Sequence, residues 1–253
     1  MDTPLPAQPA APALPVTAPE TAAPAGPHPV ERACSAWLEV RFDGNRCIHA
    51  RQCVTGAPAT FLADVEGPWI RPAMTPLQDL IAVIRNCPSG ALSYRRLDGG
   101  APEQAPPVNL LSVRENGPYA VRARIVLDRD ETTPVAPIAT AIGYRATLCR
   151  CGHSRRKPFC DNSHRRIGFE ATGEPISGNT AALAVRDGPL EISPQIDGPL
   201  EIRGALEIIS GTGRTVERCT SATLCRCGAS RNKPFCDDSH LRIGFRSTHE
   251  ASP

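Results

Sequence analysis

Residues 146–172 read ATLCRCGHSRRKPFCDNSHRRIGFEAT, and residues 222–248 read ATLCRCGASRNKPFCDDSHLRIGFRST. They align without gaps at an offset of 76, and 21 of 27 positions are identical. Chance does not produce such agreement, so the second half of the chain is an internal duplication, which must be recognised before single elements are assigned. Each copy has a strand upstream. In GPYAVRARIVL (117–127), Tyr119, Val121, Ala123, Ile125 and Leu127 share one face; in GPLEIRGALEI (198–208), Leu200, Ile202, Gly204, Leu206 and Ile208 do. Strict alternation of this kind marks half-buried β-strands. A shorter echo, DGPLEIS at 187–193, predicts a hairpin partner for the second of them. A unit of strands followed by a short cysteine-rich loop has little core of its own, so it needs a metal centre or a partner. Duplication can supply that partner, and the two units are expected to pack as a pseudo-twofold pair.

Each loop carries C-x-C-x8-C-x3-H: Cys149, Cys151, Cys160 and His164, then Cys225, Cys227, Cys236 and His240. Three thiolates and one imidazole can close a four-ligand site. Zinc accepts such a set, although its usual spacing is C-x2–4-C, and one intervening residue argues against two thiolates on one small ion. In a 2Fe–2S cluster, a close cysteine pair can serve one iron while the distant Cys and His serve the other. The wider pattern, C-x-C-x2-S-x3-P-x-C-D-x-S-H, resembles the CDGSH iron–sulfur domain of the NEET-type proteins. Ser154, Pro158, Asp161 and Ser163 fill its positions in the first copy, and Ser230, Pro234, Asp237 and Ser239 in the second. The resemblance implies a 2Fe–2S cluster held by three Cys and one His in each copy, and two units packed around a shared β region. The family's Gly is Asn162 here, and Asp238 in the second copy. If that position needs a positive φ, Asn and Asp are the next most tolerant residues. The two lysines of the chain, Lys157 and Lys233, hold equivalent places in the loops. An ammonium there would favour the more negative reduced state of a cluster; inheritance through duplication explains the placement equally well.

Upstream, residues 34–98 read as a separate small unit. Leu38, Val40 and Phe42 alternate as a strand, and Asp43-Gly44 signals a turn. CIHARQC then brings Cys47, His49 and Cys53. Thr75-Pro76 starts a helix with Leu77, Leu80, Ile81 and Ile84 on one face, which runs into Cys87-Pro88, a context typical of bacterial ferredoxin runs. From Trp37 to Arg96, with CIHARQCVTGAP and CPSGAL carrying the likeness, this unit resembles the divergent mono-cluster ferredoxins. A 4Fe–4S ferredoxin would have cysteine where Ala50 stands. Three cysteines fit a 3Fe–4S cluster directly; a 4Fe–4S cluster needs a fourth ligand, with His49 the nearest candidate and Cys34 a remote one. A lone His beside a cluster can equally be a hydrogen-bond donor to it. Nine of the eleven cysteines are then used, and Cys34 and Cys219 are expected to be free and buried.

The remaining composition sets bounds. Residues 1–30 hold nine Pro and eight Ala, with Asp2 and Glu20 their only charged side chains. That lacks the basic start and unbroken apolar core of a secretory signal, and the Arg of a transit peptide. Residues 1–33 are therefore read as a disordered Pro/Ala-rich arm. A cytoplasmic, bacterial setting is expected, in which cysteines serve metals rather than disulfides. No run of 18 apolar residues exists, and 28 basic against 26 acidic residues give no electrostatic case for nucleic acid or membrane as partners. No nucleophile–base set, P-loop or dinucleotide fingerprint appears, so the chain is expected not to be an enzyme. The reading is an α+β protein: arm 1–33, ferredoxin-like unit 34–98, mobile linker 99–108, first CDGSH-type unit 109–173 and second 174–250. It would be a monomeric electron carrier for an unknown redox partner protein, with two 2Fe–2S clusters and one 3Fe–4S or 4Fe–4S cluster. The competing functions are cluster or iron transfer, redox sensing, and a zinc-stabilised interaction module.

Overall fold

Period-two alternation builds both sheets of the computed structural model, which describes residues 29–128 and 140–247. In the N-terminal unit, β1 (Glu31–Cys34), β2 (Leu38–Phe42) and β3 (Leu92–Arg96) form an antiparallel sheet in that order. Helix α1 (Gln52–Gly56) is short; α2 (Leu77–Arg85) follows Pro76, as the pattern predicts. Its Leu80, Ile81 and Ile84 are buried against Leu38, Val40, Phe61 and Leu92. At about 1.5–3 kcal/mol for each large aliphatic side chain, this one face anchors the helix to the sheet. The expected arm falls mostly outside the described residues, but Glu31–Ala33 pair with Val40–Phe42 and are strand. Cys34, expected to be buried, is exposed, because β1 is an edge strand whose side chains mostly face solvent. Cys219 is half-buried and packs on the main core. Residues 99–108 carry no helix or strand, yet Glu103 is tied to the buried Arg145 at 2.9 Å.

The second sheet has six strands: β4 (Leu110–Val113), β5 (Tyr119–Leu127), β6 (Thr140–Leu148), β7 (Pro189–Pro194), β8 (Leu200–Ile209) and β9 (Thr215–Leu224). All five alternating residues of β5 are buried, and so are Leu200, Ile202, Leu206 and Ile208 of β8. β5 pairs antiparallel with β6, and β8 with β9; β6 and β9 lead directly into Cys149 and Cys225. β7 pairs antiparallel with β8, the hairpin predicted from the echo at 187–193.

The long strands β5 and β8 each serve two partners along their length. The first half of β5 pairs antiparallel with β4, and its second half pairs parallel with β7. The first half of β8 pairs antiparallel with β7, and its second half pairs parallel with β4. The registers correspond at an offset of 81: Leu111 faces Val121 as Ile192 faces Ile202, and Leu111 faces Ile208 as Ile192 faces Leu127. Residues of both repeats accordingly fill one apolar core, from Leu111 and Val121 through Leu190 to Leu224.

Leu111 is fully buried at the point where β4 meets both β5 and β8. Leu111→Ala should destabilise the protein by about 3 kcal/mol. Amide exchange should accelerate in both cysteine loops; acceleration confined to the first loop would show that the repeats are energetically separate.

Candidate metal centres

Each cysteine loop is clamped by its own polar residues. Ser154 Oγ donates to the Phe159 carbonyl at 2.6 Å and accepts from the Arg156 N–H at 3.0 Å; Ser230 does the same with Phe235 and Asn232 at 2.7 and 3.0 Å. Asp161 accepts from the N–H groups of Arg155 and Ser163, and Asp237 from those of Arg231 and Ser239. Burial opposes ionisation of Asp161, but these bonds outweigh it and hold the carboxyl below its usual range. The Ser239 hydroxyl leads in lowering Asp237, and the Ser163 hydroxyl leads among the bonds that lower Asp161. Asn162 and Asp238 stand at φ 68° and 60°, so the position filled by Gly in the family is left-handed here, as expected. Each then starts one helical turn, α3 (Ser163–Arg166) or α4 (Ser239–Arg242), that presents the histidine.

The ligand atoms gather in pairs. Cys149 Sγ lies 3.8 Å from Cys151 Sγ, and Cys225 Sγ 3.8 Å from Cys227 Sγ. Cys160 Sγ lies 3.4 Å from His164 Nδ1, and Cys236 Sγ 3.5 Å from His240 Nδ1. Two thiolates on one tetrahedral ion at about 2.3 Å sit roughly 3.8 Å apart, and a thiolate and an imidazole roughly 3.5 Å. Each pair therefore fits one ion. The C-x-C spacing does not keep two thiolates from one ion, which corrects the spacing argument against zinc. What disfavours a single ion is the separation between pairs. Among the described residues, the one group of three donor atoms within 4.8 Å of one another is Cys236, Asp238 and His240, so neither C-x-C pair joins its Cys–His pair at that range. Four donors divided two and two fit a two-iron group.

Without metal, one thiol of each C-x-C pair is easily ionised. Cys149 and Cys225 are brought down to about 6, first by the thiol of Cys151 or Cys227, with support from backbone N–H groups. Cys151 and Cys227 are pushed far up by the same sharing and by burial. Burial raises Cys160 to about 12.

Arg150 and Arg226, between the paired cysteines, are invisible to ligand-spacing arguments. Arg150 is 1% exposed and donates to the carbonyls of Gly117, Arg114, Ala171 and Thr172. Arg226 is likewise buried and donates to Gly198 and Gln195. Each buried arginine thus ties its loop to the turn before the long strand. The signal was present as an invariant Arg within C-R-C in both copies. Lys157 and Lys233 donate to the carbonyls of Ser154 and Ser230 at 2.8 and 2.6 Å, so both lysines tie their own loops.

The two loops touch backbone to backbone. A Cβ at Gly152 would overlap the Cys227 carbonyl oxygen, and one at Gly228 would lie 2.7 Å from the Cys151 carbonyl oxygen. Tyr119 of the first repeat donates to the Cys225 and Pro234 carbonyls of the second loop at 2.9 and 3.0 Å.

In the N-terminal unit, Cys47 follows a 3-10 turn capped by Asp43, Cys53 sits in α1, and Cys87 follows α2. All three line a cavity of about 370 Å³. Burial pushes the Cys47 and Cys53 thiols up. The backbone N–H of His49 donates to Cys47 Sγ at 3.4 Å, and Ser89 Oγ lies 3.6 Å from Cys87 Sγ. His49 and Asp64, both exposed at its rim, are the further donors lining this cavity; Asp64 was not singled out by spacing, and Cys34 is not among the lining residues.

Residues 116–165 and 197–241 match the family described as iron-binding zinc finger, CDGSH type. Both segments are CDGSH-type domains. Both matches contain the four ligands of their repeat, and residues 36–97 match the divergent 4Fe-4S mono-cluster family. The uncharacterized protein YjdI of Escherichia coli K12 is 38% identical over 58 residues, which is 23% of this chain and 75% of YjdI; YjdI of strain O157:H7 matches to the same extent. The protein is therefore a tandem CDGSH protein with a mono-cluster domain before the repeats, and both kinds of domain support iron–sulfur cluster binding.

Two predictions follow from the CDGSH loops. Arg150→Lys keeps the charge but loses the fork of donors, and should lower stability by about 3 kcal/mol. Denaturant unfolding checks this; a shift under about 0.5 kcal/mol would show that the carbonyl network is not what holds the loop. The second concerns acid. Burial, then the nearby Arg165, lowers the affinity of His164 for a proton, so the folded protein keeps a neutral imidazole where the unfolded chain takes up a proton. Its contribution is present above the ordinary imidazole value of about 6.5 and falls as pH drops below it. Replacing both His164 and His240 by Cys should hold the visible absorbance to lower pH. Superimposable decay curves for variant and wild type would show that these histidines do not set acid lability.

Proposed function

We propose that this protein is a non-catalytic electron carrier with three iron–sulfur centres. Cys149, Cys151, Cys160 and His164 would hold one 2Fe–2S cluster, and Cys225, Cys227, Cys236 and His240 a second. Cys47, Cys53 and Cys87 would hold a 3Fe–4S cluster, or a 4Fe–4S cluster with His49 or Asp64 as fourth ligand. One observation carries the reading: the three ligand loops are in contact in series. The CDGSH loops meet at Gly152 and Gly228. On the N-terminal side, a Cβ at Gly90, three residues after Cys87, would lie 2.7 Å from the Arg145 carbonyl oxygen, four residues before Cys149. When bound, the clusters supply one-electron redox chemistry. The chain's own contribution is to bury the thiolate pairs, tie each loop to the neighbouring turn through Arg150 or Arg226, and keep the loops at fixed separation.

The two repeats are read as a pseudo-twofold pair within one chain, supported by the matching registers of both the antiparallel and the parallel ladders. No helix among the described residues is long and apolar enough to cross a membrane. A cytoplasmic setting and a redox protein as partner complete the reading.

A second function, donation of iron or of a cluster, draws support from one asymmetry. Cys160 and His164 are buried, whereas Cys236 and His240 are half-buried. Two experiments separate the functions. Rapid-mixing reduction, read by freeze-quench EPR, should fill the centres in sequence; independent filling would refute the carrier reading. Incubation with an apo-ferredoxin should leave iron on this protein; loss from the second repeat first would establish the donor.

A further inference from the structure

The two repeats are not treated alike by the N-terminal domain, and the difference lies in three arginines. Arg145 is 5% exposed. Its guanidinium donates to the carbonyls of Ile84, Cys87 and Leu92, which flank the last N-terminal cysteine, and pairs with Glu103. Arg46, next to Cys47, returns a bond to the Arg145 carbonyl at 2.6 Å and lies over the Phe159 ring. Arg156 donates to the Asn45 carbonyl at 2.8 Å. A cleft of about 830 Å³ is lined by Ile48 and Ala50 of the N-terminal loop, by Asn162 and His164 of the first repeat, and by Glu174, Gly211 and Thr212 of the second unit. In the second repeat, the residues equivalent to Arg145 and Arg156 are Ser221 and Asn232, and both are exposed. Thr147 is buried while its counterpart Thr223 is exposed. The copies have thus diverged where the first touches the N-terminal loop.

We propose that Arg46, Arg145 and Arg156 are a latch whose hydrogen bonds seat the N-terminal cysteine loop on the first repeat. The order of the sites would then be fixed, with the first repeat between the N-terminal site and the second repeat, and the second repeat facing outside reagents. The positions suit this role. Arg145 bonds carbonyls on both sides of Cys87, and its own carbonyl, held by Arg46, stands two residues before Thr147, whose carbonyl accepts from the Cys160 N–H at 2.9 Å. Hydrogen-bonded protein thereby runs unbroken from Cys47 and Cys87 to Cys160. The order of sites rests on the electron-carrier reading; the latch itself does not.

The test is Arg145→Ser with Arg156→Asn, the residues the second repeat carries in the same fold, beside Arg156→Asn alone as the variant less able to disturb folding. Iron content and the visible spectrum establish that the sites are filled. Pulsed dipolar EPR between the N-terminal and first-repeat centres should give one narrow distance in wild type and a broad distribution in the double variant, with Arg156→Asn intermediate. The rate of equilibration between those two centres should fall by about tenfold or more, as expected when fixed positioning is lost. Unchanged distance distributions in both variants would overturn the latch, whatever the rates. Intact distances in wild type with no equilibration would overturn the carrier reading and the order of sites while leaving the latch standing. A double variant that does not fold leaves the decision to Arg156→Asn, whose distribution must broaden for the latch to hold.

Discussion

Two short parallel ladders, β4 on β8 and β5 on β7, carry the rest of the molecule. Without them each repeat is a three-stranded unit with one apolar face and nothing to cover it. With them the faces close on each other into one core. The same cross-pairing fixes where β6 and β9 end, and so where the two cysteine pairs stand. The loops then approach until only glycine fits at positions 152 and 228. Strand exchange, shared core and loop contact are one constraint expressed at three scales.

Charge is distributed to match. The thiolate pairs are buried, and buried anions need compensation. Neighbouring thiols and backbone N–H groups provide it, with Lys233 beside Cys225, while Arg150 and Arg226 within the C-R-C triplets satisfy buried carbonyls of the adjoining turns. Their work is done on the backbone side of the loop, whereas Asp161 and Asp237 hold the other side through N–H groups. Duplication kept this machinery identical. The changes between the copies include Arg145 against Ser221, Arg156 against Asn232 and Arg165 against Leu241, the first two of which meet the N-terminal domain. One copy became the seat of the N-terminal domain, and the other kept an open face.

Much of this was legible in the chain. The alternation of β5 and β8, the apolar stripe of α2 and the hairpin at 187–193 are local signals with local causes. The eight candidate CDGSH ligands were readable because duplication prints them twice, and the tolerance of Asn162 and Asp238 for positive φ follows from backbone sterics. The parallel ladders were not legible, since no local pattern marks which half of a long strand meets which partner. Arg150 escaped because its role is to satisfy carbonyls contributed by distant residues. The exposure of Cys34 depends on β1 being an edge, a fact of sheet order rather than of its own sequence. In the N-terminal site, three cysteines could be counted, but Asp64 reaches the same cavity only through the fold.

The central claim is that each repeat divides its four ligands between two irons, one with a pair of thiolates and one with a thiolate and an imidazole. Mössbauer spectroscopy of the protein enriched in ⁵⁷Fe reads this directly. The account predicts two quadrupole doublets of equal area from the repeats, differing in their ligand environment, together with a separate contribution from the N-terminal centre. A single doublet from the repeats, or repeats that hold zinc and no iron, would contradict it.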